Sequence, residues 1–254
     1  MPLRPLRRLW GAPAARRARI PDGARVYAVG DIHGRLDCLL AMEALITADL
    51  AAQPIPHPIV ILLGDYVDRG PDSRGVLQHL LADMSGIERH LLRGNHEDML
   101  ANVLADPGLM PAWQEIGGTE TLLSYGVDPP TLRHAEDAAQ TSAALARAMP
   151  TAHLALLERL ETVLVVGDYC FVHAGLRPGV PLERQRPSDL LWIRDEFLDH
   201  TGSHGCVVVH GHTPVDAMDV RDNRINIDTG AYATGRLTCV VLEGEGLRRL
   251  ETAL

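Results

Sequence analysis

The chain has no lysine: all 24 of its basic residues are arginine. Schiff-base chemistry and the phosphate-cradling lysine of a P-loop are therefore excluded. Its four cysteines, Cys38, Cys170, Cys206 and Cys239, stand singly with no C-x-x-C pair. That spacing argues against a zinc knuckle or a disulfide framework and fits a reducing cytoplasm. No apolar run reaches the roughly 18 residues of a membrane span. A net charge of -9 leaves no basic excess for a surface built to hold nucleic acid or anionic membrane, so neither is an expected partner.

What is present is a chain of 254 residues, 46% hydrophobic, which is long enough to bury a full core. Its start is unusual. Arg4, Arg7, Arg8, Arg16, Arg17, Arg19 and Arg25 face the single acid Asp22 and are interrupted by Pro2, Pro5, Pro13 and Pro21. Residues 1–24 are expected to be a solvated Arg-rich tail, not a secretory signal, because no apolar stretch follows the charges. The tail's charge would also suit an acidic partner. Residues 25–254 are expected to form a single domain.

Short apolar runs at Val26–Val29, Ile59–Leu63 and Ile87–Leu92 read as buried strands. Between them lie helical patterns, one with Leu36, Leu39, Leu40 and Leu45 on its apolar positions, the next with Val76, Leu77, Leu80, Leu81 and Met84. Residues 98–160 are Ala-rich and read as a mostly helical insertion, broken at Gly117-Gly118 and at Asp128-Pro129-Pro130. After Thr162 come strands at Val163–Val166, Tyr169–Val172, Cys206–Val209, Ile225–Ile227 and Leu237–Leu242, for which hairpins are expected. A βαβ half followed by a hairpin half predicts an α/β fold of two packed sheets with helices outside.

The first strand ends in Gly30-Asp31-Ile32-His33-Gly34, where residues two apart in an extended segment can aim at one ion. The second ends in Gly64-Asp65-Tyr66-Val67-Asp68-Arg69-Gly70 and the third in Arg93-Gly94-Asn95-His96-Glu97. Val172-His173-Ala174-Gly175 and His210-Gly211-His212-Thr213-Pro214 follow later runs. Open α/β sheets bind ligands at the carboxyl ends of their strands, which is where these segments fall. Carboxylate, imidazole and amide oxygen without thiolate is the donor set of a hydrolytic Mn, Fe or Zn pair.

The motifs GDIHG, GDYVDRG, RGNHE, VHAG and HGHTP, in this order over residues 30–214, resemble the calcineurin-like metallophosphoesterases, specifically the bacterial and phage-type phosphoprotein phosphatases. The resemblance implies a sandwich of two mixed sheets flanked by helices. It implies a two-metal site in which Asp31 and His33 hold the first divalent ion, Asp65 bridges both, and Asn95, His173 and His212 complete the ligand set of the second ion. Mn²⁺ is the expected metal, with Fe or Zn compatible. Arg69, Asn95 and Arg194 would bind phosphate, although a surface salt bridge is the alternative for Arg194. His96 would be the general acid, held by Asp68. His210 is expected to support the ligands at most, Asp228 to be a turn residue, and the segment 117–126 to wall the substrate cleft.

The same resemblance frames three functions: hydrolysis of phosphoserine or phosphothreonine in proteins, hydrolysis of dinucleoside polyphosphates, or phosphate binding without catalysis. Related bacterial diadenosine tetraphosphate hydrolases usually carry Ala where this chain has Asp68. A phosphorylated protein or small phosphorylated molecule is therefore the expected partner.

Overall fold

The computed structural model describes residues 18–129 and 135–253. Strand β1 (Ala24–Val29) is followed by α1 (Leu36–Ala52), β2 (His57–Leu62), α2 (Ser73–His79) and β3 (Glu88–Leu91). The helical segment comprises α3 (Asn95–Ala105), α4 (Met110–Glu115), α5 (Gly118–Ser124), α6 (Ala135–Ala148) and α7 (Thr151–Arg159). Then come β4 (Val163–Val166), β5 (Tyr169–Val172), α8 (Pro187–Trp192), α9 (Asp195–Leu198) and β6 (Val207–His210). The chain ends with β7 (Asp219–Val220), β8 (Arg224–Asn226), α10 (Ala231–Thr234), β9 (Thr238–Glu243) and β10 (Gly246–Glu251).

Two mixed five-stranded sheets result, ordered β10-β9-β1-β2-β3 and β4-β5-β6-β8-β7. The hairpin expectation for the second half is corrected. β5, β6 and β8 run parallel, and only β4–β5 and β7–β8 are antiparallel there. The β5–β6 crossover carries helices of six residues or fewer, too short to register as helical periodicity, and the β6–β8 connection carries β7 and no helix. The last hairpin, β9–β10, joins the first sheet instead, with β9 antiparallel to β1.

Period-2 alternation builds the layers. Val26, Ala28, Ile59 and Ile61 pack between the sheets against Leu164, Phe171, Val209 and Ile225. Tyr27, Val29, Val60 and Leu62 face outward onto α1 and α2. The buried stripe of α1 is Cys38, Leu39, Met42 and Ile46, while Leu40 and Leu45, expected inside, are exposed. Cys170, Val172 and Val208 form the outer face of the second sheet beneath Leu190, Ile193 and Phe197.

The expected tail boundary is also corrected. Residues 1–17, with Arg4 through Arg17, lie outside the described residues, but Ile20 is fully buried in the inter-sheet core. Backbone and side chain of Asp168 both bond Arg19, and Ile20 N–H donates to Gly244 O. Arg25 is no tail residue: its guanidinium is buried among Glu243, Asp49, Tyr27 and the Gln53 carbonyl.

Candidate metal centre and active site

Six parallel strands end at one rim. Asp31 and His33 follow β1, Asp65 follows β2, Asn95 opens α3 after β3, His173 follows β5, His212 follows β6 and Asp228 follows β8. The backbone there is bent hard. Among the described residues the non-glycine residues with positive φ are His33, Asp65, Asp68, Arg69 and His212, all of them candidate site residues. Each such conformation costs about 1–3 kcal/mol and persists only where surrounding bonds hold it. Glycines make the room: a Cβ on Gly34 would lie 2.6 Å from the Gly70 carbonyl oxygen, and one on Gly94 would lie 2.1 Å from an Asp65 carboxylate oxygen.

Glu97 is the principal holder, and its role was not foreseen. One carboxylate oxygen accepts from Tyr66 N–H at 2.7 Å and Val67 N–H at 3.2 Å; the other accepts from Asp65 N–H at 2.8 Å and Gly94 N–H at 2.9 Å. Burial, and then the Asp65 charge, push its carboxyl up to about 7. The spacing of Gly94 and Glu97 at a helix start is a capping-box pattern that could have revealed it.

The histidines present lone pairs inward. A carbonyl can only accept, so the 2.9 Å contact from His33 Nδ1 to Val67 O and the 3.0 Å contact from His173 Nδ1 to Leu63 O place the protons on Nδ1. Both Nε2 atoms then carry no proton and lie 3.4 Å from opposite oxygens of Asp65, and His33 Nε2 also accepts from Arg69 Nη1–H at 3.1 Å. Burial lowers His33 to about 3, His212 to about 2, and His173 in the same direction, so none carries charge at neutral pH. Burial opposes the Asp65 charge, yet its carboxyl is held below the usual carboxylate range, and of the imidazoles that ring it only His96 is raised toward its charged form.

His33, Asp65 and His96 form one group able to hold an ion, and Asp65, His173 and His212 form another. Asn95 Oδ1 lies 2.8 Å from His173 Nε2 and 2.9 Å from His212 Nδ1. With the amide so oriented, the bare His173 Nε2 and Asn95 Oδ1 are two acceptors in contact, which a cation would relieve. Asp31 lies on the same rim, accepting from His212 N–H at 3.0 Å, while its Oδ1 is buried without a partner. Burial and the charges of Asp228 and Asp65 push Asp31 up. Asp228 is itself raised to about 6 by burial, while accepting from Gly230 N–H in a turn at 2.9 Å. Crowded carboxylates, bare imidazoles and an orphaned oxygen fit a pair of divalent cations.

Arg69 is anchored by its own N–H to Gly117 O at 2.9 Å and by Nε to Ile116 O at 3.2 Å, with its guanidinium 5.0 Å from the Tyr232 ring centroid. Tyr232 also sets its ring edge-on to His33 at 5.4 Å and was missed, since nothing in its spacing marks it. Arg194 is exposed and in no ion pair among the described residues, so the salt-bridge alternative is not realised. Its charge reaches His173 and His212. His210 turns away, packing edge-on to Phe197 at 4.9 Å on the outer side of the sheet.

His96 Nδ1 lies 2.7 Å from Asp68 Oδ2, and its Nε2 lies 3.8 Å from Asp65 Oδ2. Burial alone would lower His96, but Asp65 and Asp68 raise it above an ordinary imidazole. Helix α4 and helix α5, the latter within the segment 117–126, sit behind this pair. Trp113 Nε1–H donates to Asp68 Oδ2 at 2.8 Å, and the Thr121 hydroxyl donates to Asp68 Oδ1 at 2.6 Å.

Residues 24–236 match the family model of the calcineurin-like phosphoesterases. The chain belongs to that family. Calcineurin-like phosphoesterases use a dinuclear metal centre, and the clusters around Asp65 are its candidate ligand groups here. The chain is 31% identical to serine/threonine-protein phosphatase 1 of Salmonella typhimurium over 84% of this chain and 89% of that protein. It is 25% identical to an asymmetrical bis(5'-nucleosyl)-tetraphosphatase of Anoxybacillus flavithermus over 84% and 88%. A solved structure of a provisionally assigned diadenosine tetraphosphatase shares the fold with a TM-score of 0.59, at 23% identity over 89% of this chain and 93% of that one. This calcineurin-like phosphoesterase is thus a phosphoester hydrolase by family. Among its described residues no helix is long and apolar enough to cross a membrane.

Proposed function

We propose that the protein is a dinuclear-metal phosphomonoesterase acting on phosphoserine and phosphothreonine in proteins. The observation that carries the reading is the buried His96–Asp68 pair at 2.7 Å, set beside the candidate bridging carboxylate Asp65. A serine alkoxide is a poor leaving group and needs a proton in the transition state, whereas a nucleotide phosphate departs readily without one. An enzyme of anhydrides alone has little use for such a pair.

Asp31, His33, Asp65, Asn95, His173 and His212 would hold the two divalent ions, with Mn²⁺ suited to their N/O donors and Fe or Zn also compatible. When bound, such a pair supplies water activated near neutral pH and a clamp for the phosphate oxygens. The planar forks of Arg69 and Arg194 suit the phosphate dianion. His96 Nε2–H delivers the proton to the departing oxygen, while Asp68 accepts Nδ1–H and keeps the ring aimed. The four free cysteines favour a cytoplasmic setting. The Arg-rich residues 1–17 are suited to an acidic partner.

A dinucleoside polyphosphatase is the second reading, supported by the likeness to the Anoxybacillus flavithermus tetraphosphatase. A phosphate-binding regulator without catalysis is disfavoured, because every candidate ligand and both members of the acid pair are present. The deciding test is kcat/KM of Mn-loaded protein on phosphoserine peptides, diadenosine tetraphosphate and p-nitrophenyl phosphate. Preference for the phosphopeptide is expected; strong preference for the dinucleotide would overturn the ranking.

A further inference from the structure

Asp68 has a left-handed backbone at φ 72 and is fully buried. Such a residue must be held, and two of the three donors on its carboxylate come from the helical insertion, 45 and 53 residues away in sequence. Its two carboxylate oxygens receive three donors: His96 Nδ1–H and Trp113 Nε1–H on Oδ2, and the Thr121 hydroxyl on Oδ1. Trp113, Thr121 and Ser73 are all fully buried, so no water competes for these positions.

The proton directions are fixed by counting. The single Thr121 hydroxyl hydrogen is spent on Asp68 Oδ1, which as a carboxylate oxygen can only accept. Ser73 Oγ, 2.9 Å from Thr121 Oγ1, must therefore donate to it. Asp68 N–H closes the loop, with Ser73 Oγ at 3.0 Å and Thr121 Oγ1 at 2.9 Å. The chain Ser73 O–H, Thr121 O–H, Asp68 carboxylate, His96 N–H is thus oriented end to end, and each bond polarises the next. Gly118 fixes the indole as well, because any Cβ there would lie 2.3 Å from the Trp113 ring.

We infer that Trp113 and Thr121 are positioning residues that pin both oxygens of Asp68 and thereby aim the His96 proton at the leaving group. This inference rests on the reading of His96 as general acid. Neither residue touches substrate or metal ligands, so their effect scales with how much the departing oxygen needs a proton. The insertion therefore extends the enzyme's range toward alkyl phosphates, whose leaving groups are poor.

The test is a leaving-group series, from p-nitrophenyl phosphate through phenyl phosphate to a phosphoserine peptide, with Thr121→Val, Thr121→Ser, Trp113→Phe and His96→Asn in the Mn-loaded protein. Thr121→Val and Trp113→Phe should each lower kcat about 10-fold on the peptide and about twofold on p-nitrophenyl phosphate. That is a fraction of the roughly 10²-fold or more that a general acid supplies. KM and bound metal should not change, and Thr121→Ser should restore the peptide rate. In a His96→Asn background Thr121→Val should add less than about twofold, because residues acting through one group are not additive. Equal losses on every leaving group, no rescue by serine, or full additivity with His96→Asn would overturn the inference. If His96→Asn itself affects all leaving groups equally, the general-acid reading fails instead, and the inference with it. If only the Thr121 and Trp113 variants behave so, that reading stands and the inference alone falls.

Discussion

Replacing Glu97 with Gln exchanges one oxygen for an amide nitrogen and changes almost no volume. Whichever oxygen is lost, two of the four backbone N–H groups, Tyr66 with Val67 or Asp65 with Gly94, then face a donor. Each buried donor left unmatched costs about 1–3 kcal/mol, so the loss is about 2–6 kcal/mol, a large share of the roughly 5–15 kcal/mol that holds a domain together. The size of the effect depends on metal. Without it, burial and the Asp65 charge hold the Glu97 carboxyl up at about 7, so near that pH the group is half protonated and Gln mimics its neutral form. Cations bound at Asp65 would cancel that charge, return Glu97 to the carboxylate, and expose the full cost of the substitution. Urea unfolding at pH 7 should show Glu97→Gln within about 1 kcal/mol of wild type in chelator, and about 2–6 kcal/mol weaker with saturating Mn²⁺. Equal differences in the two conditions, or no difference in the loaded protein, would refute the reasoning.

Truncation gives a second expectation: removing residues 1–17 should leave the rate on p-nitrophenyl phosphate within about twofold, whereas Ile20→Ala should cost about 2–5 kcal/mol of stability, because the side chain is fully buried. Thermal and urea unfolding of the two variants check this. His90 supplies a pH signature, since its ring bridges Glu161 at 2.8 Å and Glu88 at 2.9 Å. Burial works against its charge, but the two glutamates raise its pKa, so the stability it adds is full below the ordinary imidazole value of about 6.5 and is lost as pH rises through the raised value. Urea midpoints from pH 6 to 9 should fall in wild type, and His90→Gln should remove that slope.

The strand ends were legible because chemistry and punctuation coincide there. Each apolar run stops within three residues of a glycine and delivers Asp, Asn or His to the same rim, so the candidate ligands are readable from the sequence. The rest was hidden for physical reasons. Glu97 stood inside a quoted motif, yet its work is done by backbone donors on another loop. Trp113 and Thr121 reach Asp68 through tertiary packing alone, with no spacing to betray them. Leu40 and Leu45 were misplaced because a leucine-rich helix pattern does not distinguish them from Cys38, Met42 and Ile46, which fill the actual stripe. Parallel pairing of β5, β6 and β8 was missed because their connections lack a helix of detectable length.

The central claim is that Asp65 lies between two cations. Elemental analysis and calorimetric titration of metal-stripped protein with Mn²⁺ test it most directly, on wild type and on Asp65→Asn, together with turnover of p-nitrophenyl phosphate. The account predicts two ions per chain in wild type, at most one in the variant, and loss of most activity with the second ion. Two ions and near-normal turnover in Asp65→Asn would contradict it.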